Sequence, residues 1–251
     1  MITPLTETVE QVVVEELPRW IARYPMLRAC LRAALAGKAL PPPLRMTYAE
    51  FLAWGDEDTL AEWEALPDSD EGEVLVSSPA STRHQLIGDF LLTLLRTYVE
   101  VYNLGVVLSA PFQMKLEHGR EPDLLFVAQD HLGRLKDAYL DGPADLVVEI
   151  ISPESATRDR GKKFYEYEQG GVSEYWLLDP LRERAEFYRL EVASATGAGP
   201  LALPRRYCLA YGGAEGVYHS SVVHDFWLQV AWLWQDPLPQ TLDMLRELDL
   251  I

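Results

Sequence analysis

In Leu146-Val-Val-Glu149-Ile-Ile151 a carboxylate interrupts an otherwise apolar run. If the run is a strand, alternation sets Glu149 on the face shared with Val147 and Ile151, and the opposite face also reads as buried. An isolated charge in such surroundings costs several kcal/mol, so Glu149 must be protonated, ion-paired or bound to a cation. Asp123 stands at the head of a second apolar run, Leu124-Leu-Phe-Val127. Two carboxylates on neighbouring strands can share one hard cation through oxygen ligands. Downstream, Asp159, Lys163 and Tyr167 recur at intervals of four and fall on one helix face, with Arg158, Arg160 and Lys162 in the same turns. An ammonium beside a cation site can orient a water, favour its deprotonated form and attract a phosphate. Each residue also has a plainer reading: a strand-end ion pair for Glu149, a turn residue for Asp123, solvated helix charge for Lys163. The combination is more telling than any member.

These side chains need elements to hold them. Leu86, Ile87, Phe90, Leu91, Leu94, Leu95 and Tyr98 form a wide apolar stripe that predicts a long helix from Ser81. Strands are predicted over 105–116, 122–128 and 145–151, with a short helical piece near 130–140. A polar helix follows over about 156–170, ending at Gly170-Gly171, and then come the strands SEYWLLD and AEFYRL. Upstream, Thr47-Tyr-Ala-Glu50 has the pattern of a capping box, 66–73 reads as an acidic turn, and Val74–Ser77 as a short strand. Residues 191–251 read as short strands, loops and a terminal helix, TLDMLREL. Strands interleaved with helices predict an α/β fold with helices on the faces of one mixed sheet.

The amino-terminal segment differs from the rest. Leu17, Ile21, Leu27, Leu31 and Leu35 are spaced as two short helices divided at Pro25, and Pro41, Pro42 and Pro43 form a stiff linker. Residues 1–45 are therefore expected to be a basic helical extension and linker, and 46–251 the main domain. Between 17 and 45 there are six Lys or Arg and no acid, whereas 46–82 holds acids and no Lys or Arg. The basic segment either docks on the acidic one or serves as a phosphate-contacting arm.

The chain has 251 residues, is 48% hydrophobic, and carries a formal charge of -17. That charge argues against loose, charge-driven binding to nucleic acid. No apolar run is long enough to span a bilayer and no signal peptide is evident, so a cytoplasmic protein is expected. Cys30 and Cys208 suit neither a thiolate zinc site nor a disulfide framework, and both read as small buried residues. Trp227, Trp232 and Trp234 read as core or dimer interface rather than base-stacking platforms.

Four ordered tracts resemble a known family: Glu121-Pro-Asp-Leu-Leu-Phe-Val127, Asp145-Leu-Val-Val-Glu-Ile-Ile-Ser-Pro153, Arg158-Asp-Arg-Gly-Lys-Lys163 and Glu174-Tyr-Trp-Leu-Leu-Asp-Pro180. In order and spacing they are similar to the Uma-two family of putative restriction endonucleases, in the PD-(D/E)xK nuclease superfamily. Met46-Thr-Tyr-Ala-Glu-Phe-Leu52 and Ser78-Pro79 with His84 add to the likeness, which covers about 46–190. The resemblance implies a restriction-endonuclease-like mixed central sheet flanked by helices, and a Mg2+- or Mn2+-dependent endonuclease acting on DNA. Asp123 and Glu149 would be the metal-binding acids, with the backbone carbonyl of Ile150 a further ligand. The superfamily lysine usually follows two residues after the acid, where this chain has Ile151. The family supplies it from the next helix, which points to Lys163, with Lys162 as the fallback. Asp68 or Glu73 could add a ligand, and Tyr167 and His84 are accessory candidates, His84 reading first as a helix cap. A homodimer is expected.

Two other classes stay open. A catalytically inactive module could keep the fold and only bind partners. An acid/base hydrolase such as a glycosidase could use Asp123 and Glu149 as paired carboxylates, but it leaves Lys163 without a role.

Overall fold

The computed structural model describes residues 44–54, 61–76, 80–153, 155–192 and 205–251. The expected helices before Gly37, most of the basic segment, the proline linker, Cys30 and Ser78-Pro79 lie outside these residues. Thr47–Ile251 forms one compact unit.

The capping box is present: the Thr47 N–H donates to Glu50 Oε2 at 2.9 Å and the Glu50 N–H to Thr47 Oγ1 at 3.3 Å. It starts helix α1, Tyr48–Trp54, which buries Phe51. Strands β2 (Ala61–Ala65) and β3 (Glu71–Val76) then pair as an antiparallel hairpin, with Trp63 opposite Val74 and Glu64 opposite Glu73. β3 begins earlier than Val74, and β2 was not expected. A further short strand, β1, spans Arg45–Thr47.

The long helix α2 runs Thr82–Val101, and Ser81 is its N-cap, its hydroxyl accepting from the His84 N–H at 3.2 Å. The expected strand 105–116 is two strands in two sheets, β4 (Gly105–Ser109) and β5 (Gln113–Lys115). Pro111, which has no N–H for a ladder, falls at the break. β6 (Gly119–Arg120) and β7 (Leu124–Ala128) follow. The stretch expected to be helical near 130–140 is a 3-10 turn, Gln129–Arg134, and then β8, Tyr139–Asp141. Strand β9 is Leu146–Ile150.

The polar helix is broken. α3 (Ala156–Asp159) and α4 (Lys162–Gly170) are separated at Gly161, where an added Cβ would lie 2.7 Å from the Thr157 carbonyl oxygen. α4 ends at Gly171, whose φ of +90° is the left-handed conformation a helix C-terminus favours for glycine. β10 (Glu174–Asp179), β11 (Arg184–Val192) and β12 (Arg205–Gly213) come next. The hairpin of β13 (Val217–His219) and β14 (Trp227–Gln229) and helix α5 (Thr241–Glu247) complete the described chain.

The main sheet has the order β12-β11-β10-β9-β7-β4. β9 and β10 are parallel, and the pairs β10/β11, β11/β12, β7/β9 and β4/β7 are antiparallel. A smaller sheet continues from β3 in the order β3-β2-β6-β5-β8. β9 and β10 are buried along their whole length, as parallel strands covered on both faces are. One face of the main sheet (Leu146, Val148, Ile150, Trp176, Leu178) packs with Ile87, Phe90, Leu91, Leu94 and Leu95 of α2. The other (Val147, Ile151, Tyr175, Leu177) packs with Tyr167 of α4. Trp232 is buried in the first of these cores, with Trp227 and Trp234 packed at its margin. Cys208 is exposed on β12, contrary to its expected burial. Among the described residues no helix is long and apolar enough to cross a membrane.

Candidate functional site

β7 and β9 run antiparallel with Leu124 opposite Val148. Asp123 directly precedes the first and Glu149 directly follows the second, so the ladder brings the two acids to facing positions. Asp123 Oδ2 accepts the backbone N–H of Ile150 at 2.6 Å, which fastens the start of β7 to the end of β9. The same oxygen lies 3.2 Å from His84 Nε2. Burial opposes a charge on that imidazole, but Asp123 and the backbone of Ile150 raise its pKa above the ordinary value. His84 is thus not the cap of α2: Ser81 is, and the His84 ring faces the acid.

Glu149 is 3% exposed. Its Oε1 accepts from Lys163 Nζ at 3.0 Å and from the Tyr167 hydroxyl at 2.7 Å. Burial pushes the Glu149 carboxyl well above its usual range; Lys163 pulls it back, and Asp159, Asp123 and Glu62 push it further up. Lys163 Nζ also contacts Glu62 Oε1 at 2.8 Å and Asp159 Oδ1 at 3.6 Å. Burial alone would lower the Lys163 pKa, but these carboxylates raise it, so the amine stays an ammonium. Helical spacing on either side of the Gly161 break still delivers Asp159, Lys163 and Tyr167 to one place.

Glu62 was not legible as a site residue. The sequence Ala61-Glu-Trp-Glu-Ala65 alternates strictly, which is the signal of a half-buried strand. The alternation turns Glu62 and Glu64 away from the face of Trp63. Arg120, 1% exposed, holds them: Nη1 is 3.3 Å from Glu62 Oε2, Nη2 is 3.2 Å from Glu64 Oε1, and Nε and Nη2 reach both oxygens of Glu166 at 2.7 and 2.8 Å. Burial works against the Glu62 charge, yet Lys163 and Arg120 hold its carboxyl below the usual range. Lys162 turns elsewhere, its Nζ 2.6 Å from Glu64 Oε2. Asp68 is exposed in the β2–β3 turn, and Glu73 sits across the ladder from Glu64. The acid of this hairpin that reaches Lys163 is Glu62. Acids of 46–82 therefore pair with Arg120, Arg158, Lys162 and Lys163.

The cluster can be tested against a divalent cation. Glu62, Glu149 and Asp159 meet around the single ammonium of Lys163, with Arg120 and Arg158 touching only Glu62 among them, while Asp123 pairs with His84. Neither carboxylate oxygen of Asp159, which is 1% exposed, has a hydrogen bond of good geometry, and burial raises its pKa. Several hard oxygen donors gathered here, two of them on a buried side chain with no hydrogen bond of good geometry, fit a hard divalent ion. Among the described residues no three His, Cys, Asp or Glu side chains enclose an ion by themselves.

A mixed sheet flanked by helices defines a restriction-endonuclease-like fold, and it brings the two acids and the lysine of the following helix into one region. The model of the Uma2 family, described as putative restriction endonuclease, matches residues 48–205, and the chain belongs to that family. A crystal structure of a putative nuclease belonging to DUF820 from Anabaena variabilis is similar to this chain. It has a TM-score of 0.55 and 14% identity, covering 75% of this chain and 97% of that one, a likeness of fold. No curated protein matches the chain.

Proposed function

We propose that this protein is an endonuclease that hydrolyses phosphodiester bonds of DNA with the help of Mg2+ or Mn2+. The observation that carries the reading is the buried Glu149, bonded to Lys163 at 3.0 Å and to Tyr167 at 2.7 Å, opposite Asp123 on the neighbouring strand. Family membership supports the same reaction class. Asp123 and Glu149, with the Ile150 carbonyl, would hold the cation. A divalent ion bound there supplies Lewis-acid polarisation of the phosphoryl group and lowers the pKa of a water.

The chain's own groups do the rest. Lys163, fixed as an ammonium by three carboxylates, neutralises charge developing on the phosphoryl oxygens and orients the attacking water. The Tyr167 hydroxyl and Lys163 both bond Oε1 of Glu149, which leaves Oε2 for the cation. His84 holds Asp123 from the outer side, and Arg120 holds Glu62 against Lys163. These contacts fix the geometry before substrate arrives.

The test uses full-length protein with Mn2+ and single-stranded, double-stranded and branched DNA, alongside Asp123→Ala and Lys163→Ala. Cleavage by wild type and its loss in both variants is the expected result. Activity that survives both substitutions would remove these residues from the reaction. Absence of both cleavage and Mn2+ binding by calorimetry would assign the fold to a non-catalytic interaction module.

A further inference from the structure

Beside the carboxylate cluster lies an open hollow of about 490 Å3. It sits beyond the carboxyl ends of the parallel pair β9 and β10, where open α/β sheets receive ligands. Ile151 and Pro153, just beyond the end of β9, form one wall. Thr157 and Arg160 come from the segment that carries Asp159, and Leu181 and Arg182 from the turn after β10.

The lining is chemically divided. Ile151, Pro153 and Leu181 are apolar, Leu181 being 73% exposed, and Asp179 adds a carboxylate already held by Arg160 and Arg182. Of the two arginines, Arg160 is already committed. Its Nη2 is 3.2 Å from Asp179 Oδ2, and its Nη1 bonds Glu186 Oε2 at 2.5 Å. Arg182 is not so committed: its side chain is 72% exposed and its nearest carboxylate oxygen, on Asp179, is 3.8 Å away. A solvent-facing cation, held only by a long ion pair to Asp179, therefore stands next to an apolar rim, in a molecule of formal charge -17. The volume falls in the range of small-ligand sites, about 300–1,000 Å3, which suits one nucleotide and not the width of a duplex.

We infer that the hollow is a subsite for one unpaired nucleotide of the substrate, next to the scissile phosphodiester. The sugar and base lie against Ile151, Pro153 and Leu181, and the neighbouring phosphate lies on Arg182. This deepens the nuclease reading and rests on it. The preferred substrate is then single-stranded DNA, or DNA with an unpaired flank. That accords with a surface too acidic to hold a duplex by its backbone alone.

The experiment compares wild type, Thr157→Trp, which fills the hollow, and Arg182→Ala, which removes the exposed cation. Neither change touches Asp123, Glu149 or Lys163. Binding of a fluorescein-labelled single-stranded oligonucleotide and of its duplex is followed by anisotropy in Ca2+ over a range of salt. Hydrolysis of the oligonucleotide and of bis(p-nitrophenyl) phosphate is followed in Mn2+. Wild type is expected to prefer the single strand. Both variants are expected to bind it about tenfold more weakly, with the salt slope of Arg182→Ala reduced by about 0.7. Cleavage of the oligonucleotide falls in parallel, while the small diester is hydrolysed at the wild-type rate. Unchanged single-strand binding in both variants, or a wild type that binds duplex as tightly, overturns the subsite. If wild type hydrolyses neither substrate, the nuclease reading fails by itself, and the anisotropy comparison still decides for or against the hollow.

Discussion

The two faces of the main sheet are built from alternate residues of the same strands, yet they have opposite characters. Val148 and Ile150 turn to a core made with α2 that is mainly apolar, its buried carboxylate Glu174 satisfied by the Trp176 and Ser221 N–H groups. Val147 and Glu149 turn to a face where apolar packing surrounds a carboxylate, and Lys163, Asp159 and Glu62 join it. Burial contributes stability on the first face at about 25 cal/mol per Å2 of apolar area. On the second, burial works against the charges, and the ion pairs offset a cost that the fold itself created. One face is held mainly by apolar burial, and the other carries the ion-paired cluster.

The largest effect should come from removing the cation that balances the second face. Lys163→Met leaves three buried carboxylates without their common partner. It is expected to abolish cleavage and lower unfolding free energy by about 3–5 kcal/mol in urea titrations. A smaller change in urea midpoint would mean that the acids pair elsewhere. On the first face, Leu91→Ala is expected to cost about 2–5 kcal/mol by the cavity it leaves, while activity per folded molecule stays at wild type. A specific loss of activity there would show the faces to be coupled.

Glu149→Gln sharpens the contrast further. Glutamine can still accept from Lys163 and Tyr167 without a buried charge, so stability is expected to stay level or rise by up to about 1–2 kcal/mol as cleavage disappears. Marked destabilisation would make Glu149 a structural residue. The smallest effect concerns His84. Its folded pKa is raised above 6.5, so its contribution to stability is complete below that pH and is lost as pH rises through the folded value. Urea midpoints measured in EDTA on either side of that window should fall with pH in wild type, and less so in His84→Gln.

Where the chain declares a period, its fold could be read before coordinates. The stripe from Ile87 to Tyr98 and the apolar runs around Val148 and Leu177 left little choice of element, and Glu149 stood out because it violated its run. Two carboxylates and a lysine were therefore legible as candidates. Glu62 was not: its strand is five residues long, half acidic, and stabilised by Arg120, which lies 58 residues away and belongs to a different hairpin. The break at Gly161 was also hidden, because a lone glycine in a polar helical pattern carries no local signal that a carbonyl will crowd it. Nor does a buried cysteine differ in sequence from an exposed one on an outer strand, as Cys208 is. Long-range pairing and close approach decided all three.

Arg120 ties Glu62 and Glu64 to Glu166, partners 58, 56 and 46 residues from it along the chain. A growing polypeptide that has not yet produced Glu166 cannot close the bracket, and Lys163 arrives only just before it. Ribosome-bound fragments shorter than this carry Glu62, Glu64 and Arg120 without the last partner of the bracket.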